Sequence, residues 1–515
     1  MRAFLIVIPL VCVGGIASAS TSVQRPPAPP PPSLAQDAPA SYYFMLGRHL
    51  EDQQKIDEAI AAHQKAIALV PDSAELRAEL AALYARQDRA REALESAEAA
   101  LQRDPANREA NRILGTVYAA LSEQRRPFRP GDDPAQYAAR AIAALEKSRG
   151  DAGLDVNLEL MLGRLYLSGK DYPKAISSLR KVLDDQPGYA EGAMLLAAAQ
   201  DAADQTDDAI RTLESALEEN PNYYRASLRL AELYEAERRY MDAADAYAHA
   251  AAVNPRIEVT AQQAAALINA GKAADARALL LPKIQNTAAP DAGLLYMLAQ
   301  AQRSLKDADG ASATMQKLKA SFPDDPRGVY LEAQLLRDRG KYDDAIVAVE
   351  GLMKRSPRDG TLVYEYASLL ERAGRLPDAE RALRDLLAKD PQDANALNSL
   401  GYMLADHGVR LDEAVDLVQR ALKVEPANPS FLDSLGWAYF RQGKLDLADP
   451  ALTQAAEQLP TSSAVNEHLG DLRFKQERYA DAVAAFERSL AGDGESIDRA
   501  KVEKKVRDAR QRVKR

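Results

Sequence analysis

An alanine returns along this chain about every 34 residues, at Ala59, Ala93, Ala138, Ala175, Ala209, Ala243, Ala276, Ala311, Ala345, Ala379, Ala414, Ala448 and Ala482. A second small residue precedes it by about twelve positions: Gly47, Ala81, Gly115, Gly163, Ala197, Ala231, Ala264, Ala299, Ala333, Ala367, Gly436 and Gly470. Gly401 stands one residue further from its partner, and the third unit is lengthened by an insertion near residues 122–137. Such a period constrains the fold more than length or composition does. A unit this short cannot bury its own apolar face and must stack on its neighbours. Within the unit the two small residues fall at positions 8 and 20. On facing sides of two antiparallel helices they let the backbones approach, where larger side chains would force the pair apart.

Larger residues fill the space beside them. Tyr84, Tyr118, Tyr166, Tyr234 and Tyr439 stand at position 11, and Tyr247, Leu383, Leu452 and Phe486 at position 24. Proline closes most units, among them Pro71, Pro105, Pro187, Pro357 and Pro426, and bars continuation of the second helix. Ser73, Asn107 and Asp393 follow as N-caps of the next unit. Hydrophobic residues make up 47% of the chain and aromatics only 6%, which suits closely approaching helices packed with Ala and Leu.

Small residues at positions 8 and 20, an aromatic at 11 and proline at 32 resemble the tetratricopeptide repeat over residues 40–490. The resemblance implies an all-α, right-handed α-solenoid (a superhelix) of about thirteen helix-turn-helix repeats, with a C-terminal capping helix. The seventh unit, about residues 257–290, is the weakest, since it lacks the aromatic and its Pro290 is displaced. The stretch Leu397-Asn398-Ser399-Leu400-Gly401-Tyr402 through Leu411-Asp412-Glu413-Ala414 to Leu432-Asp433-Ser434-Leu435-Gly436-Trp437 is more particular. It resembles the C-terminal repeats of exported bacterial proteins of this kind. Among them is an outer-membrane lipoprotein adaptor that delivers cell-wall hydrolases to a carboxyl-terminal processing protease. That resemblance implies a periplasmic adaptor.

Residues 1–19 read as a secretory leader, with Arg2, an apolar stretch from Ala3 to Val13, and Ala17-Ser18-Ala19 as a cleavage motif. The residues favour cleavage after Ala19. Lipidation of Cys12 is an alternative, although bulky Val11 stands where a small residue is wanted, and an uncleaved anchor is another. A Pro-rich linker over residues 20–39, with Arg25 to Pro32 its densest part, follows, and proline suits an extended spacer. Cys12 is the sole cysteine, so the mature chain is expected to hold no disulfide and no thiolate metal site. A net charge of −10 argues against a nucleic-acid partner.

Once the repeats are assigned, no phosphate loop, nucleophile elbow or paired-cysteine spacing remains. His49, His63, His249, His407 and His468 are scattered over the repeats. No enzyme, cofactor or metal is expected. In the family, positions 2, 5, 9 and 12 of the first helix face the concave groove. Carried over, this puts Tyr296, Tyr330 and Tyr364 at one position of successive units, Gln300 and Gln334 at a second, and Arg303 and Arg337 at a third. The next units add Asn398, Tyr402, Trp437 and Phe440. Tyrosine offers broad contact, amides can bond peptide groups, and arginine forks onto carboxylates. Packing within the helix seams is the other reading, and for Trp437, the sole tryptophan, both stay open. The insertion carries Arg125, Arg126, Pro127, Phe128, Arg129 and Pro130, as a surface loop or a partner contact. Residues from Ile497 to Arg515 form a basic helix with net charge +6, which leaves −16 on the rest of the chain against the overall −10. Ile497, Ala500, Val502, Val506, Ala509 and Val513 should seat it on the last repeat, and its basic face is open to anionic lipid or an acidic partner. The expected role is a protein-binding scaffold or adaptor in the cell envelope, gathering a protease and its substrates. A structural part of an export or polysaccharide-secretion assembly is the alternative. Membrane contact is expected only through an N-terminal anchor or the basic helix.

Overall fold

The structure, a computed structural model, describes residues 38–124, 126–150, 153–285, 290–355, 360–492 and 497–513. The expected leader with Cys12 and Ala19, the linker up to residue 37, Arg125, Pro357 and the last two residues lie outside them. Two compact units divide the chain, Met1–Thr212 and Leu213–Arg515.

The first unit holds α1 (Ala40–Asp52), α2 (Ile56–Leu69), α3 (Ala74–Arg86), α4 (Ala90–Arg103), α5 (Arg108–Gln124), a 3-10 turn at Pro134–Gln136, α6 (Tyr137–Ser148), α7 (Val156–Ser168), α8 (Tyr172–Asp185) and α9 (Ala190–Asp201). Helix α10 (Thr206–Glu219) runs across the boundary. The second unit continues with α11 (Tyr224–Ala236), α12 (Tyr240–Val253), α13 (Ile257–Asn269), α14 (Ala273–Gln285), α15 (Ala292–Ser304), α16 (Ala308–Ser321), α17 (Pro326–Asp338), α18 (Tyr342–Arg355) and α19 (Gly360–Arg372). It ends with α20 (Leu376–Lys389), α21 (Ala394–Asp406), α22 (Leu411–Val424), α23 (Pro429–Arg441), α24 (Leu445–Gln458), α25 (Ser463–Lys475), α26 (Tyr479–Ala491) and α27 (Arg499–Val513). No strand occurs among the described residues. Among the described residues the order is thirteen helix-turn-helix repeats and a final helix, and inside each unit every repeat packs on the next.

Outside the third repeat, with its insertion, the elbows between paired helices share one device. Position 15 of the repeat takes the left-handed conformation, at Gln54 (φ 62), Asp88 (φ 56), Lys170 (φ 61), Asp204 (φ 58), Arg238 (φ 57), Lys306 (φ 62) and Glu477 (φ 64), and at glycine in Gly271 (φ 74) and Gly340 (φ 71). The following N–H then closes onto the third residue from the helix end, as Asp307 N donates to Gln302 O at 2.9 Å. That bond satisfies carbonyls the helix end would leave open and reverses the chain in three residues.

The small-residue ladder is the interior. Ala59, Ala93, Ala175, Ala209, Ala243, Ala276, Ala311, Ala345, Ala379, Ala414, Ala448 and Ala482 are each 0% exposed. At position 8, glycine is needed where position 24 leans across it. A Cβ on Gly163 would lie 2.6 Å from Leu179, and one on Gly436 2.6 Å from Leu452. The third repeat corrects one expectation. Ala138 is only half-buried, and Ala141, 0% exposed, fills the position-20 pocket, with Leu145 over Gly115. The insertion therefore runs three residues further than the sequence register suggested, and Tyr137 plugs the extra space by stacking on Tyr118 at 5.6 Å.

The insertion itself is pinned to its own unit. Arg129 Nη1 donates to both carboxylate oxygens of Glu98 on α4 at 3.0 Å. Phe128 N donates to Tyr137 Oη at 2.8 Å, while that hydroxyl donates to Asp132 at 2.8 Å. The Phe128 ring packs half-buried against the core of the unit. In the seventh repeat, α14 carries Pro282 inside the helix, which removes one backbone bond there. At the end of the chain, Val502, Val506 and Ala509 of α27 cover Ala482 and Phe486 of α26.

Candidate functional site

The odd-numbered helices of the second unit carry every residue singled out for binding. Tyr296, Gln300 and Arg303 lie on α15, Tyr330, Gln334 and Arg337 on α17, and Tyr364 on α19. Asn398 and Tyr402 lie on α21, and Trp437 and Phe440 on α23. Gln334 and Trp437 are buried, each 8% exposed, and the other nine are half-buried.

The structure joins successive repeats through these side chains. Gln300 Nε2 donates to Tyr296 Oη at 2.7 Å and to Gln334 Oε1, 34 residues on, at 2.8 Å. Arg303 Nε donates to Asp338 at 2.6 Å, and Arg337 Nη1 to Glu365 of α19 at 2.7 Å. Tyr364 Oη donates at 2.6 Å to Asp393, whose carboxylate caps the N-terminus of α21. The three tyrosines are therefore not equivalent. Tyr296 accepts from an amide, and Tyr364 reaches the next repeat's cap. Tyr330 packs its ring on the core of the unit, and burial, with the Glu365 carboxylate, lifts its hydroxyl above the ordinary phenol value. The result is a partly dry, cross-linked strip in which each arginine already holds a carboxylate. Because Glu365 is only 13% exposed at its side chain, the Arg337 pair is better shielded than an ordinary surface pair.

Trp437 sits inside a stack. Phe440 lies against it at 5.0 Å and His468 of α25 at 4.2 Å, with rings within 17° of parallel, and Arg441 lies 5.6 Å from the indole. The indole N–H donates to Asp406 at 3.1 Å. His468 Nδ1 lies 3.0 Å from both oxygens of Asp433, and its ring is 6.1 Å from Tyr402. On α27, Lys505 Nζ donates to Glu467 at 2.7 Å and to Asp471 at 2.6 Å. This ionic knot across α21, α23, α25 and α27 was not foreseen. A sequence signal existed, since Asp433 and His468 are 35 residues apart, close to one period. That spacing says nothing about a single charged pair until both side chains are known to turn inward.

Three of the remaining histidines have separate hydrogen-bond partners. His49 lies 2.7 Å from Gln53, His249 2.9 Å from Ser227, and His407 2.9 Å from Glu371. His63 is buried under Gly47, and burial holds its ring below the ordinary imidazole value. Among the described residues no three His, Cys, Asp or Glu side chains converge as a metal site would need. None of the described helices is long and apolar enough to cross a membrane.

Family models of the tetratricopeptide repeat match residues 47–88, 138–190, 202–267, 294–325, 336–401 and 434–497, between them more than half of the chain. The chain is a tetratricopeptide repeat protein. A TPR repeat-containing protein of Pseudomonas aeruginosa is 47% identical to it over 78 residues, 15% of this chain and 13% of that protein. The match thus spans a small part of that relative's length. Among solved structures, the APC/C hetero-tetramer Cut9-Hcn1 is similar at 15% identity, over 92% of this TPR chain and 97% of that one, with a TM-score of 0.40. Naa15/Naa10 bound to HypK-THB is similar at 16% identity, over 87% and 68%, with a TM-score of 0.41. Yeast Tom70 is similar at 16% identity, over 92% and 96%, with a TM-score of 0.34. TPR solenoids serve in general as protein-binding scaffolds.

Proposed function

We propose that this TPR protein is a non-enzymatic scaffold of the bacterial cell envelope, exported to the periplasm, that captures partner proteins or peptides along the strip formed by α15, α17 and α19. The reading extends to an adaptor that brings a protease and its substrates together. What supports it is the Tyr-Gln-Arg series repeated at a 34-residue interval and bonded from one repeat to the next. The half-buried tyrosines present ring faces with little rotamer freedom, and a bound chain's carboxylates and amides would exchange with the partners the Gln and Arg side chains already hold. The likeness of residues 397–437 to exported adaptors, and the leader expected at residues 1–19, support the compartment.

Affinity capture from envelope extract, followed by mass spectrometry, tests the proposal with three forms of the chain. The natural chain should retain a set of partners that Tyr330→Ala/Arg337→Ala loses with helicity intact. Glu365→Gln, which breaks the same ion pair but keeps Tyr330 and Arg337, should retain them. Equal capture by all three forms removes the strip from the binding face. Co-purification with an outer-membrane pore or a polysaccharide synthase instead of soluble clients would favour a secretion scaffold.

A further inference from the structure

The knot around His468 stands apart from the strip just described, and its chemistry is of another kind. An imidazole with 8% exposure is clamped edge-on by the Asp433 carboxylate and face-on by the Trp437 indole. Every packed element around it contributes charge or leaves it to others. From α23 come Asp433 and Arg441, and from α21 come Tyr402 and Asp406, the last bonded to Trp437. From α25 itself come Glu467 and Asp471, and from α27 comes Lys505, which bonds both. On the flanking helices α24 and α26, Asp449 is held by Arg473, Arg488 by Asn466 and Glu487 by Arg510. Four carboxylates, those of Asp406, Asp433, Glu467 and Asp471, therefore face three cations when the ring is protonated, and only Arg441 and Lys505 when it is not.

We propose that His468 is a proton-operated latch between repeats twelve and thirteen: as imidazolium it bridges α25 to Asp433 of α23 beneath the indole of Trp437, and loss of the proton loosens that junction. A neutral ring can still donate one N–H to Asp433. It leaves the buried Asp433 carboxylate, and the half-buried Glu467 and Asp471 behind it, short of a counter-charge. Burial alone would favour the neutral ring, but Asp433, with Asp471 and Glu467 behind it, outweighs burial and lifts His468 above its ordinary value. The sign follows. A group that holds its proton more tightly folded than unfolded contributes its full stabilisation below the unfolded value of about 6.5, and loses it as pH rises through the folded value. Asp471, raised by burial against the pull of Lys505, has the same sign, but its window opens at the carboxylate value of 3.8 and not at that of an imidazole.

Trp437 is the sole tryptophan, so the full-length chain reports on its own latch. An imidazolium stacked on an indole quenches its emission. Emission should therefore rise as pH is brought from 6 to 9, with a midpoint above 6.5. The urea midpoint followed at the same wavelength should fall over the same range. His468→Gln should abolish both changes. Asp433→Asn, which keeps a hydrogen-bond acceptor and removes the charge, should move the emission midpoint downwards and serves if the glutamine variant does not fold. Flat emission in the natural chain, an unchanged transition in His468→Gln, or an unmoved midpoint in Asp433→Asn would each overturn the proposal.

Discussion

At position 8 of the repeat, the presence or absence of one methyl group decides how closely two helices sit. Gly436 has the Leu452 side chain 2.6 Å and its backbone N 3.0 Å from where a Cβ would stand. Gly436→Ala should therefore cost about 1–3 kcal/mol by overpacking, read as a lower urea midpoint. Gly351, inside α18 with nothing within 4 Å of its would-be Cβ, is the control. There alanine should stabilise by roughly 0.5–1 kcal/mol. His63 provides a second test at this scale, with the sign opposite to that of His468. Its value is lowered, first by burial, so its contribution is present above about 6.5 and is lost as pH falls. Its buried Nδ1 has no hydrogen-bond partner, so a proton added there gains none either. An acid-active protease should cut within residues 40–70 faster at pH 5 than at pH 7.5, and His63→Leu should remove that difference. Equal cutting rates in the natural chain would refute it.

Among the elements, the shared elbow is the feature periodicity did not reveal. Lys306 and Glu477 hold left-handed angles that a side chain resists by about 1–2 kcal/mol. Lys306→Gly and Glu477→Gly should each raise the unfolding midpoint, for a gain of up to about 1 kcal/mol after the extra chain entropy of glycine. No change in either variant would place the elbow's strain elsewhere. The helices were legible because alanine and glycine recur in phase, and the pairing of helices followed from that phase alone. The elbows were not, because Gln54, Lys170 and Lys306 have no side-chain chemistry that announces a left-handed residue. The third repeat misled for a related reason. Ala138 and Ala141 are both alanine, one helical turn apart, and only the meeting of Gly115 with Leu145 decides between them. The candidate strip was legible as positions and opaque as bonds. Which carboxylate Arg337 takes, or whether Trp437 faces inward, depends on neighbouring repeats more than on its own.

For the whole molecule, stability is a sum over neighbours, so the ends matter most. Helix α27 shields Phe486 and brings Lys505 to Glu467 and Asp471. Removing residues 497–515 would expose that ring and leave two half-buried carboxylates without their cation. Amide exchange should then accelerate in α25 and α26 first and in α23 and α24 next, with α11 to α14 unchanged. Uniform acceleration through the second unit would mean that it melts as one block.

The elbow has a kinetic consequence as well. Outside the third repeat, a reversal completed within three or four residues sets a helix beside its partner with very little chain to close, so contact order is low and the loop entropy to be overcome is small. Such a polypeptide, threading end first from a ribosome or a narrow pore, can form its leading hairpins before its trailing residues have emerged. Folding then keeps pace with delivery.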